Sequence, residues 1–160
     1  MANDGSLLSK LEQFVADTLA ALTSGGSAVF KTADVWRHQL AAGGSGFESL
    51  GRHSPCAFVS YTAAEAAREG GNELREVIEF AILIGVEHKN PGTARIGSTN
   101  VNGTSKLRDL VIALFESKHP GESLTCDEIY YTGDREIFDA PTQHVIELHF
   151  ETSKMTPEAT

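Results

Sequence analysis

The pattern of hydrophobic and polar positions centres on Val77 to His88, VIEFAILIGVEH, which holds the longest apolar run in the sequence. Read with period two, Ile78, Phe80, Ile82, Ile84 and Val86 share one face, and Val77, Glu79, Ala81, Leu83, Gly85 and Glu87 share the other. The first face is large and mostly β-branched, which suits a pleated buried surface. The second is polar at its ends and apolar only in its middle. The pattern predicts a central strand, well covered on one face and partly on the other. Gly85 and the β-branched residues argue against a helix.

The other elements are read relative to that strand. Over residues 6–22, Leu7, Leu8, Leu11, Phe14, Val15, Thr18, Leu19 and Leu22 recur at three and four, an amphipathic helix capped by Ser6 and ended by Gly25 and Gly26. Residues 28–35 read as a strand through Val29, Phe30 and Val35, and Trp36 reads as a lid on the core. Residues 41–55 are rich in Gly and Ser and read as a flexible loop. CAFVSY, residues 56–61, reads as a strand buried on both faces. Residues 62–74 are small and charged, with a helical turn expected around 63–68.

The second half continues the mixture. Residues 89–103 form a long polar loop, of a length that tends to be functional or disordered. Residues 105–118 carry a helical stripe of Leu107, Leu110, Val111, Leu114 and Phe115, with Lys118 and His119 at its negative end and Pro120-Gly121 as its stop. Residues 123–131 read as a strand with Leu124, Cys126, Glu128 and Tyr130 on one face. GDREIFDAP, residues 133–141, reads as a charged turn. Residues 143–152 alternate as a half-wetted antiparallel strand, with Ile146, Leu148 and Phe150 inward and Val145, Glu147, His149 and Glu151 outward. The order predicts an α+β domain over residues 1–152, a mixed and mostly antiparallel sheet with two main helices packed on it, followed by a disordered tail over 153–160.

Composition adds limits. A chain of 160 residues suffices for one core. No apolar run approaches the ~20 residues that span a bilayer, so no membrane partner is expected. The first ten residues contain Asp4 and no apolar signal core, so no export is expected. The net charge of -9 disfavours general nucleic-acid binding, which needs Lys and Arg on phosphates. Cys56 and Cys126 read as small buried hydrophobes of a reducing cytoplasm.

Candidate chemistry fails residue by residue. GSTNVNGTSK, residues 97–106, puts five residues between its glycines and no Lys directly after the second, so it is not a phosphate loop. His53 precedes Cys56 by three residues, but Pro55 and a strand start separate them, and the apolar run keeps a thiol protonated. His38, His53, His88, His119, His144 and His149 show no helical ligand spacing. Glu147 and His149 share a strand face and read as solvated. Asp134, Glu136 and Asp139 fall in the expected polar turn. Neither catalysis, nor a metal, nor a cofactor is expected.

The succession of segments resembles the Mu-like tail terminator (tail completion) proteins of long-tailed bacteriophages. The resemblance is carried by LEQFVADTLAAL, FKTADVW, PCAFVSY, REVIEFAILIGVEHKN, NGTSKLRDLVIALFE, GESLTCDEIYY and QHVIELHFET, spanning residues 7–152. It implies a small subunit of a homo-oligomeric ring, usually six-fold, at the head-proximal end of the tail tube. Such a ring stops tube polymerisation and offers a docking face to neck or head-completion proteins. Its partners would be further copies of itself, the tail tube protein, the sheath as an additional contact, and DNA only in passage through the lumen. It would be assembled in the host cytoplasm and reside in the virion. The family has no catalytic residues to carry over. The loop residues Arg52, Lys89, Arg95, Asn100, Asn102 and Arg135 are the expected subunit or tube contacts. The alternatives are another neck or tail-completion component, or a small cytoplasmic α+β enzyme with its site in the 89–103 loop.

Overall fold

The computed structural model describes residues 6–43, 46–69, 73–120, 124 and 126–157. Its centre is a five-stranded sheet. In spatial order the strands are β3 (Thr32–Val35), β6 (Cys56–Glu69), β7 (Glu73–Glu87), β9 (Gln143–Pro157) and β8 (Tyr130–Ala140). Only β3 and β6 run parallel; every other neighbouring pair is antiparallel. Helices α1 (Leu7–Ala21) and α4 (Thr104–Phe115) cover one face. The fold is therefore α+β, with a mixed, mostly antiparallel sheet and two main helices.

The period-two reading of the central strand holds along its length. Ile78, Phe80, Ile82, Ile84 and Val86 are all buried under the helices, together with Ile146, Leu148 and Phe150 from β9. Phe80 and Phe150 are a stacked cross-strand pair with ring centroids 5.6 Å apart. From α1, Leu11, Val15, Ala16 and Leu19 close the core, and from α4, Leu107, Val111 and Phe115. Ser6 caps α1, its hydroxyl accepting from the Ser9 N–H at 3.3 Å.

The other face of the sheet has a smaller core of Leu40, Leu50, Cys56, Phe58 and Val145. Residues 41–55, expected as a flexible loop, build its cover: β4 (Ala41–Gly43), β5 (Gly46–Glu48) and the one-turn α2 (Leu50–His53). The reason is the spacing of Leu40, Phe47 and Leu50 among the glycines, which pins the segment at three points. Trp36 is half-buried there, edge-on to Phe58 at 5.7 Å.

Several expectations are corrected. Gly25 and Gly26 do not end α1. Both have positive φ and form the turn of a short hairpin, β1 (Thr23–Ser24) with β2 (Ser27–Ala28). The strand expected over 28–35 is only β3. Residues 63–68 are strand and not a helical turn, because continuous pairing of β6 with β7 out to Glu69↔Glu73 outweighs the weak helical bias of alanine. The 89–103 loop contains a one-turn helix, α3 (Thr93–Ile96). Helix α4 stops at Phe115, where Ser117 takes positive φ and donates its N–H to Ile129 O. The strand expected over 123–131 begins only at Tyr130, with Ile129 buried and Tyr130 exposed; residues 121–123 and 125 lie outside the described residues. The charged turn expected over 133–141 is strand β8, and the chain turns at Pro141 and Thr142. The expected tail is ordered through Pro157 as the end of β9, paired to Glu73, while residues 158–160 lie outside the described residues.

Candidate functional site

Two features stand out on this frame: a projecting arm and a polar row on the edge strand. Beyond Val59, β6 has no described neighbour on the side away from β7, since β3 pairs only with Cys56–Val59. Beyond a bulge at Thr62, residues 63–69 of β6 therefore pair with β7 alone, and β7 in turn pairs with the end of β9. The result is a three-stranded arm with an open outer edge. Thr62, Ala64, Glu65 and Ala66 are exposed along it. Glu12 of α1 accepts the Tyr61 N–H at 3.1 Å and closes the root of that edge. An unpaired row of backbone N–H and C=O groups with small side chains is a template for an added strand.

The polar row lies on β8. Two bulges, between Tyr131 and Gly133 and between Glu136 and Phe138, change the face parity along the strand. Glu136 and Asp139 are three apart and would point to opposite faces of a regular strand. With Ile137 as the extra residue, Glu136 faces with Ile146 and Asp139 faces with His144, both on the helical side. Asp134, opposite Leu148, joins the same face.

Each of these carboxylates meets a basic side chain. Arg108 of α4 donates through Nε to Asp134 at 2.6 Å and through Nη2 to the Tyr131 hydroxyl at 3.1 Å, with its guanidinium 5.7 Å from that ring's centre. The Tyr131 hydroxyl also donates to Asp134. Burial pushes the Asp134 carboxyl up, but the hydrogen bonds from Tyr131 and Arg108 outweigh it and hold the group below its ordinary value. Arg95 stands 3.6 Å from Asp139. His144, only 5% exposed, hydrogen-bonds through Nε2 to Glu136 at 2.9 Å and through Nδ1 to the buried Thr104 hydroxyl at the start of α4. One ligand atom each from Glu136, Asp139 and His144 lies within 4.8 Å of the others.

The six residues expected as contacts do not gather on one surface. Arg52 is exposed on α2, and Lys89 is exposed in the turn before α3. Arg95 lies on α3 against the end of β8. Asn100 and Asn102 line a cleft of about 490 Å³ with Ser24, Ser27, Ser54 and His88. Arg135 lies on the opposite face of the sheet, donating to Glu147 at 3.1 Å. It borders an apolar pocket of about 310 Å³ lined by Trp36, Phe47, Phe58 and Leu83. Arg135 is thus a strand residue and not a loop cation.

Glu147 and His149, expected on one face, do meet there at 2.8 Å, but Arg135 shares the carboxylate. Cys56 is buried and donates to Gly85 O at 3.6 Å; burial pushes its thiol up to about 12, so it is protonated at neutral pH. His53 faces Thr32 and the Phe58 ring. Sequence reasoning missed the junction of Thr104, His144, Glu136 and Asp139. Its acidic half was visible as a charge cluster, but the bulge that aligns it had no sequence signal beyond the wrong one of a turn.

No family model matches the chain. No curated protein matches it by sequence either. The functional reading rests on the geometry above and on the segment pattern.

Proposed function

We propose that the chain is the repeating subunit of a closed homo-oligomeric ring, and that this ring is a phage tail terminator capping the head-proximal end of the tail tube. The open edge of the β6–β7–β9 arm is the observation that carries the reading. A subunit that adds a neighbour to one edge, related by rotation, closes into a ring when the rotation closes. The arm is held rigidly at its root by the buried Phe80–Phe150 pair and by Thr152, whose hydroxyl donates to Asp127 O at 2.8 Å. Along its edge the exposed Ala64 and Ala66 permit close backbone approach. The net charge of -9 supports a lumen that DNA passes without adhering, since like charge repels the phosphates.

In this reading the mechanism is capping. One ring face pairs with the last tube ring and blocks further addition, while the other presents a different surface to neck proteins. Negative-stain microscopy of the purified chain over a range of concentrations tests it: closed rings of one size are expected. Ala64→Lys and Ala66→Lys place charges on the open edge and should give folded monomers. Mixed with its polymerising tube protein, the wild-type chain should limit tube length, and unlimited growth would end the terminator reading.

A further inference from the structure

The junction on β8 and β9 supports an inference that is independent of ring formation. We propose that Glu136, Asp139 and His144 form a three-ligand site for a divalent transition-metal ion, with Zn²⁺ the best match. Imidazole nitrogen and carboxylate oxygen are both zinc donors, and three of them leave an open fourth position on a tetrahedral ion. Asp139 and His144 are direct cross-strand partners, and the Ile137 bulge brings Glu136 to the same side. The ligand atoms lie mutually within 4.8 Å, against the roughly 3.3 Å separations of a tetrahedral shell, so side-chain rotation must close the difference. Glu136 and Asp139 are about half exposed, which gives their side chains room to rotate away from their present partners.

The histidine of the site is fixed in place. His144 is held inside the protein with Nε2 directed at the carboxylates, and Thr104 holds the orientation of the ring through Nδ1. A metal-ligating histidine commonly anchors its other nitrogen in this way. On binding, the metal takes the Nε2 lone pair. With Nε2 on the metal, the ring N–H is at Nδ1, where the Thr104 hydroxyl oxygen can accept it. Arg95, 3.6 Å from Asp139, is a competing cation that the metal must displace from that carboxylate. The bound ion would cross-link β8 to β9, whose His144 already contacts the first residue of α4.

Chelator-treated full-length chain titrated with Co²⁺, then Zn²⁺, tests the proposal. One equivalent of Co²⁺ should give the visible absorption of a tetrahedral site, and Zn²⁺ should abolish it. Zn²⁺ should also raise the unfolding temperature. Glu136→Gln and Asp139→Asn, at exposed positions, should each lower affinity at least tenfold while the metal-free chain unfolds as wild type does. Thr104→Val should lower it about 10–100-fold, with Thr104→Ser restoring it. Glu147→Gln, in the separate Glu147–His149 pair, should leave binding unchanged. Binding that survives both carboxylate variants, or that is lost with Glu147→Gln, would overturn the assignment, as would the absence of a Co²⁺ signal at millimolar metal.

Discussion

Gly85 shows how tightly single positions are set. A Cβ there would lie 2.7 Å from Leu50 Cδ1 and 3.3 Å from Cys56 Sγ. Leu50 and Cys56 are both fully buried, so neither can step aside. Gly85→Ala is therefore expected to lose about 1–3 kcal/mol, read as a lower urea midpoint with an unchanged slope. Next to it, Cys56 links stability to pH. Its thiol titrates near 9.0 when unperturbed and is pushed up to about 12 in the fold. The folded chain thus keeps a proton that the unfolded chain releases. The resulting stabilisation is complete below the unfolded value and is lost as pH rises from there through the folded value. Alkaline unfolding titrations should show a steeper loss for wild type than for Cys56→Ala, and native Cys56 should resist alkylation at neutral pH.

At the level of elements, β8 is governed by its bulges. Removing Ile137 would shift every residue before it to the opposite face, taking Asp134 from Arg108 and Glu136 from His144. Deletion of Ile137 should destabilise far more than Ile137→Ala, whose side chain is only partly buried, in parallel urea titrations. The same strand marks where sequence reading succeeds and fails. Strands buried on one face announce themselves, as Ile78 to Val86 and Ile146 to Phe150 do. Helix α1 does so through its stripe and Ser6. An edge strand of mixed charge has no such period once two bulges reset its parity, so GDREIFDAP looks like a turn. Likewise TAAEAARE holds no β signal of its own and is extended because β7 lies beside it. The contacts made by Thr104 with His144, forty residues on, exist only through the tertiary fold.

For the whole molecule, the arm and the body behave as units of unequal stability. Asp127 grips β9 at two adjacent residues: its O accepts from Thr152, and its carboxylate accepts from Ser153 at 2.7 Å. A chain ending at Ser153 retains both contacts and the cores, but loses the rungs opposite residues 73–76. Hydrogen exchange there should accelerate to near-unprotected rates while Ile82 and Ile84 stay protected, and formation of the proposed ring should fall in step.

The placement of β9 between β7 and β8 also orders events in time. Every rung that joins β7 to β9 links residues more than fifty positions apart. During synthesis, β7 therefore stands beside β6 with its inner flank bare until residues 143–157 have emerged. Such distant pairing is slow to form. Completion of the sheet, and with it any surface that depends on the finished arm, must await that one late segment, so a nascent chain has no assembled arm to offer a neighbour before its own body is closed.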